Sequence, residues 1–209
     1  RDQWLNYAVD TPDAARLIPD LEEAFFSNPT GPLGTVRSDP WFLNDQLCLL
    51  GDAAHAIVPF HGQGMNAAFE DCLEMDACLR ETGDGWTDAF RSYFQRRKPN
   101  ADAIADMAIE NYREMRSSVI DPRFLLRKEL AFELERRQPD RFIPRYSMVM
   151  FRDDISYSEA RRRGENQLRI LDEVIEGKTC LADIDLDAAE RRVLESLPPV
   201  HSDSDKPPA

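Results

Sequence analysis

Residues 47–66 read LCLLGDAAHAIVPFHGQGMN. The apolar run QLCLL at 46–50 ends in Gly51-Asp52, the pattern of a buried strand that brings a turn to the edge of a site. An irregular segment follows, and Gly62-Gln63-Gly64 leads into a helical pattern over 62–81. There Met65, Ala68, Phe69, Cys72, Met75 and Leu79 fall on one face, with Glu70, Asp71, Glu74 and Arg80 largely off it. Ligands of open α/β sheets bind at the carboxyl ends of strands. A helix N-terminus adds unpaired N–H groups and about half a positive charge. Gly62 and Gly64 leave room for a flat ligand to approach the backbone, and Asp52 is suited to accept hydrogen bonds from sugar-like hydroxyls. Each piece alone is an ordinary turn or helix start; the order of the pieces is the signal.

Outward from this stretch most of the chain reads as helix, an α/β class that is mostly helical here. Upstream, Thr11-Pro12-Asp13 opens a helix by its capping preferences. Pro19 ends or restarts it, and helical character continues over 21–26 to Asn28-Pro29. Residues 31–45 are turn-rich, with a short strand expected at 33–36. Downstream of Gly83-Asp84-Gly85, helices are expected at 86–97, 100–117, 124–137, 157–176 and 185–197, with Pro99 kinking the first of these or starting the second. The expected organisation is 1–97 containing the glycine turn, 98–197 as a helical domain, and 198–209 as a disordered tail of polar, proline-containing sequence.

Composition narrows the classes. Of 209 residues 42% are hydrophobic and 31% charged, the balance of a globular protein. A formal net charge of −13 argues against a nucleic-acid partner, which would require clustered Lys and Arg. The local clusters Arg96-Arg97-Lys98, Arg136-Arg137 and Arg161-Arg162-Arg163 lie near carboxylates and read as solvated helix faces. Cys48, Cys72, Cys78 and Cys180 form no CxxC pair, and Cys72 and Cys78 read as small hydrophobes within the helical pattern. Without a signal peptide or a membrane-length apolar run, the expectation is a cytoplasmic protein with no membrane partner. Arg1-Asp2-Gln3-Trp4 reads as the middle of a domain.

The segment GDAAHAIVPFHGQGMNAAFEDC, from Gly51 onward, resembles the second flavin-binding motif of the class A flavoprotein monooxygenases, and among them the kynurenine 3-monooxygenase family most of all. The resemblance covers 21–177, through FFSNPTGPLGTVRSDPW upstream and AIENYREMRSSV and RFIPRYSMVMF downstream. It implies the C-terminal portion of a soluble, bacterial-type enzyme with an FAD-binding Rossmann-like domain followed by C-terminal helices. By this resemblance Gly51 and Asp52 hold FAD, Asp52 through the ribityl chain. Gly62, Gln63, Gly64, Met65 and Asn66 border the pyrimidine edge of the flavin. Pro59, Phe60 and His61 line the ring face where the hydroperoxide forms, Phe60 and His61 also facing substrate. Asn111 and Tyr146 hold the amino-acid end of L-kynurenine, with Met115 packed nearby. NADPH is the implied reductant and dioxygen the co-substrate, giving 3-hydroxykynurenine, and no side chain need act as nucleophile or general base. The family's N-terminal GxGxxG and its carboxylate-binding arginine have no counterpart in these residues. The alternatives are a hydroxylase of another aromatic substrate and an inactive helical fragment.

Read from the residues alone, these positions are less specific. His55 as a metal ligand lacks a surrounding ligand set. His61 fits either an acid–base role or one of shape and hydrogen bonding. The amide of Asn111 interrupts the stripe Ile104, Ala108, Tyr112, Met115 and needs a partner, whether a zwitterionic ligand or a neighbouring backbone. Tyr146 reads as an amphipathic core residue.

Overall fold

A computed structural model describes residues 17–29, 31–118 and 121–200. The helix expected from Thr11 to Pro19 lies almost wholly outside these residues, as does the tail at 201–209. The chain divides into two units, 1–33 and 34–209. In the first, helix α1 (Leu21–Ser27) carries Glu22 and Glu23 in its first turn, where the dipole favours them. It stops at Asn28, whose backbone is extended ahead of Pro29.

The second unit opens with a hairpin. Strand β1 (Phe42–Leu43) pairs antiparallel with β2 (Leu47–Cys48), Phe42 opposite Cys48 and Leu43 opposite Leu47. Two expectations change here. The strand expected at 46–50 is two residues long, and Leu47 is exposed rather than buried. A two-stranded ribbon has no second layer to cover both of its faces. Nor is there a strand at 33–36; instead the Val36 and Ser38 N–H groups donate to the carbonyls of Ala56 and Ala54, tying this segment alongside the glycine turn.

Helices follow: α2 (Asp52–His55), a 3-10 turn (Pro59–His61), α3 (Gly64–Thr82), and α4 (Trp86–Arg113), which continues as a π-helical turn at Glu114–Ser118. Then come α5 (Pro122–Arg137), α6 (Arg145–Phe151), α7 (Tyr157–Val174), a 3-10 turn (Leu181–Asp183) and α8 (Leu186–Ser196). The starts of α5, α7 and α8 are set by Asp121, Ser156 and Asp185, whose side chains accept backbone N–H groups of the first turn. Helix α4 runs through Pro99, where a kink or the start of a new helix was expected, as one element that also spans residues 97 and 98. Beside the proline, Asn100 Nδ2 donates to the Arg96 carbonyl at 3.3 Å, supporting the turn that the ring disturbs.

The core is in three clusters. Leu126, Leu130 and Leu134 of α5 pack with Ile170 and Leu171 of α7 and Val193 of α8. Ile104 and Met107 of α4 meet Met148 and Val149 of α6 and Ala160 of α7. Trp41 packs with Ala54, with Met75 and Cys78 of α3, and with Phe90 and Tyr93 of α4.

Helix α3 departs most from its sequence pattern. Its buried positions are Ala67, Asp71, Met75 and Cys78. Met65, Phe69 and Leu73 are 68%, 61% and 71% exposed, and Cys72 is exposed too. Small side chains on the inner face let α3 lie close against α4, and the inner charge has partners, so burial does not follow hydrophobicity. Two arginines expected on solvated faces are buried for the same reason. Arg97 is engaged by Asp71 and Glu70, and Arg163 donates to the carbonyls of Arg141 and Pro198. Arg136 and Arg137 do lie at the surface side of α5, paired with Glu133. Among the described residues no helix is long and apolar enough to cross a membrane.

Candidate functional site

The glycine turn is built around a positive φ. Gly51 has φ 55, and a Cβ there would come within 3.1 Å of the Ala68 side chain, so the turn sits directly on α3. It leaves Asp52 exposed at the start of α2. After Pro59–His61 the chain reverses at Gly62, with φ 67 and open space where a side chain would stand. Helix α3 then begins without a side-chain cap and without an acidic residue in its first turn. Its first amides are therefore available to an anion. An exposed carboxylate, an open glycine and an uncapped helix start fit a cofactor that carries both hydroxyls and developing negative charge.

Beneath the turn lies a buried charge cluster that the sequence pattern had placed at the surface. Asp71 Oδ2 accepts from the Gly51 N–H at 2.9 Å and from His55 Nε2 at 2.5 Å, and Oδ1 accepts from Arg97 Nε at 2.8 Å. Arg97 also donates to Glu70 and to the Ala67 carbonyl. Burial alone would push the Asp71 carboxyl up; the hydrogen bonds from His55, Arg97 and Gly51 outweigh it and hold the group below the usual carboxylate range. His55 is thereby committed to a carboxylate, with its ring 5.0 Å from Trp41. The available signal for Asp71 was the run of small residues Gly64, Ala67 and Ala68 on its side of the helix.

The second part of the site gathers residues far apart in sequence. Asn111 Nδ2 donates to the Phe60 carbonyl at 2.6 Å and lies 3.8 Å from Met115 Sδ. The Phe60 and Tyr112 rings are 4.5 Å apart, and His61 stacks on Tyr146 at 5.7 Å and 21°. Arg145, ahead of Tyr146 on α6, pairs with Glu110 on α4. Tyr146 and Met115 are more than half exposed, so this cluster presents a surface rather than a closed core. His61 is buried, with Nδ1 lacking a hydrogen-bond partner. Burial, then the Arg145 charge, lower its pKa against the opposing effect of Glu110, so the neutral imidazole is favoured. One N–H of the Asn111 amide thus finds a backbone carbonyl as its partner.

Gly164 on α7 makes the placement of Arg145 possible, since a Cβ there would lie 2.7 Å from the Arg145 side chain. A cleft of about 730 Å³ opens elsewhere, between α3 and the segment 149–157, bordered by Gln63, Asn66, Glu70, Arg97 and Tyr157. Its polar groups largely serve one another. Gln63 Oε1 accepts from Asn66 at 2.8 Å and from Tyr157 at 3.2 Å, while Arg152 pairs with Asp154.

Residues 34–108 match the family model described as FAD binding domain. Over 193 residues the chain is 48% identical to a kynurenine 3-monooxygenase of Myxococcus xanthus, an alignment covering 92% of this chain and 41% of that protein. The chain is similar to kynurenine 3-monooxygenases along most of its length. The one from Stenotrophomonas maltophilia is 47% identical over 92% of the chain and 42% of its own length, and one from Legionella pneumophila 41% identical over 81% and 38%. The chain therefore spans about two fifths of the length of these relatives. Within the family match, the glycine turn, α2, α3 and most of α4 fall in the FAD binding domain, whereas Asn111, Met115 and Tyr146 lie beyond it.

Proposed function

We propose that this chain is part of an FAD- and NADPH-dependent monooxygenase that hydroxylates the aromatic ring of L-kynurenine to 3-hydroxykynurenine. The observation that carries this reading is the convergence of Phe60 and His61, which follow the Gly51-Asp52 turn, with Asn111 on α4 and Tyr146 on α6. A flavin-facing segment and a substrate-facing segment would meet there. FAD, when bound, supplies the oxygen chemistry, with NADPH as reductant and dioxygen as co-substrate. The chain's own residues position and shield. Asp52 accepts hydrogen bonds from the sugar-like chain, and Gly62 keeps the approach open. The first amides of α3, at Gly64, Met65 and Asn66, stabilise negative charge at the cofactor's edge. Gln63 braces this helix start from below through Asn66 and Tyr157. Pro59, Phe60 and neutral His61 line the ring, while Asn111, Met115 and Tyr146 receive the amino-acid end of the substrate.

A Rossmann-like fold for the flavin domain would come from the part of the relatives' length that these residues do not span. The test is NADPH oxidation by the full-length flavoprotein across a panel of aromatic acids. Stimulation by L-kynurenine well above benzoates and phenols supports the reading; equal or greater stimulation by a simple phenol overturns the substrate assignment. A second reading, that the 209 residues alone are inactive, is favoured by the exposed Met65, Phe69 and Leu73 on α3. Purified chain without flavin absorbance supports that reading.

A further inference from the structure

Helix α2 is four residues long, too short to hold itself together in water, yet it carries the exposed Asp52. Both of its ends are tied to a single atom. Asp71 Oδ2 takes the Gly51 N–H just before the helix and the Nε2–H of His55 at its last residue. Because the carboxylate only accepts, the imidazole must carry its proton on Nε2. Oδ1 is fixed by Arg97, itself held by Glu70 and the Ala67 carbonyl. Trp41 closes over the His55 ring, and all of these side chains except Glu70 are buried.

We propose that Asp71 is a positioning residue for the flavin site: through Gly51 and His55 it clamps both ends of α2 and so sets where Asp52 presents its carboxylate. The proposal rests on the flavin reading above, and it also makes a claim that holds without flavin. The backbone bonds of this turn do not reach α3: Ala54 and His55 donate locally to the Gly51 carbonyl, and Ser38 and Val36 donate to the carbonyls of Ala54 and Ala56. Asp71 therefore couples a marginal local structure to a long helix.

The experiment is amide hydrogen exchange on the 209-residue chain. Asp71→Asn keeps the shape but turns a bare acceptor into a group that also donates, which opposes Gly51 N–H and His55 Nε2–H. It is expected to speed exchange over 51–56 at least ten-fold while Pro122–Arg137 and Tyr157–Val174 stay within two-fold of wild type. If Asp71→Asn does not fold, the His55 pair decides. His55→Ala should reproduce the local loosening, and His55→Gln, whose amide can donate to Asp71, should restore most of the protection. Unchanged exchange at 51–56 in these variants, or loosening spread evenly over α5 and α7, overturns the clamp.

A titration with FAD, followed by quenching of its fluorescence, separates the two claims. With a flavin-binding wild type, His55→Ala should weaken affinity at least ten-fold and His55→Gln less than three-fold. Equal affinities in all three overturn the positioning role and leave flavin binding standing. A wild-type chain that does not take up FAD counts against the functional reading of the isolated chain, and the exchange result still decides the clamp.

Discussion

Helices α3 and α5 bury residues at the same spacing and by opposite chemistry. Helix α5 buries Leu126, Leu130 and Leu134, each four positions after the last. Helix α3 buries Ala67, Asp71 and Met75 at that same interval. The leucines stabilise through area removed from water, about 1.5–3 kcal/mol for each side chain fully buried. Asp71 must instead offset its desolvation by hydrogen bonds from three directions, and it does so only in one geometry. An apolar seam tolerates small adjustments. A charged one fixes position, which is what a turn that has to present Asp52 requires.

The contrast can be broken most forcefully at its centre. Asp71→Ala leaves Arg97 and His55 without their buried acceptor and should cost about 3–5 kcal/mol, measured by denaturant unfolding. Leu134→Ala in the leucine seam should cost about 2–5 kcal/mol through lost burial and a cavity, with no change in exchange at 51–56. Replacing both charges, as in Asp71→Leu with Arg97→Met, should recover most of the stability lost in Asp71→Ala, because a buried pair can often be exchanged for apolar residues at little net cost. Protection of the turn should not recover with it. If the double variant regains both, Asp71 is a packing element and the comparison fails.

Acid offers a finer separation. A carboxyl held low in the fold stabilises fully above the unfolded carboxylate range, near pH 3.9, and loses that contribution as pH falls through its lower folded value. The segment 51–56 should therefore loosen below about pH 4 ahead of α5, and Asp71→Asn should abolish that difference; exchange against pH reads it directly. His61 gives a second window. Its folded pKa is lowered, so stability should decline as pH drops below roughly 6.5, and His61→Gln should flatten that slope in thermal unfolding. The smallest effect is on the outer face of α3, where Phe69→Ser should change stability by no more than about 0.5 kcal/mol. A larger loss would mean that this face is covered in the folded chain.

The same contrast explains what the sequence disclosed. Periodicity located α5, α7 and α8 to within a few residues, because their cores are apolar and their caps are local. It also found α3, and Met75 and Leu79 do meet the core as expected, but Met65, Phe69 and Cys72 look like core and are exposed, while Asp71 looks like surface and is buried. Glycine and aspartate in the right order marked the turn, because φ above zero and an uncapped helix start are local properties. The meeting of Phe60 and His61 with Asn111 and Tyr146 is tertiary, and no spacing rule encodes it; only the family resemblance grouped those residues. Asp71, Arg97 and His55 were each visible, but a buried charge network is defined by partners 16 to 26 positions apart. Gly164 carried no signal at all until Arg145 was seen lying on it.

Helix α4 has a consequence of its own. Arg97, which anchors Asp71, and Asn111, which grips the Phe60 carbonyl, stand on the same unbroken helix. Fourteen positions apart, they are separated by about 21 Å of rise. The helix is in effect a gauge, and the loop from Gly51 to Phe60 is stretched between two of its marks. Single substitutions along the interval leave the gauge intact, but inserting or deleting one residue would swing Asn111 by about 100° away from Phe60. Between these two residues, the number of positions is under tighter constraint than most of the side chains that fill them.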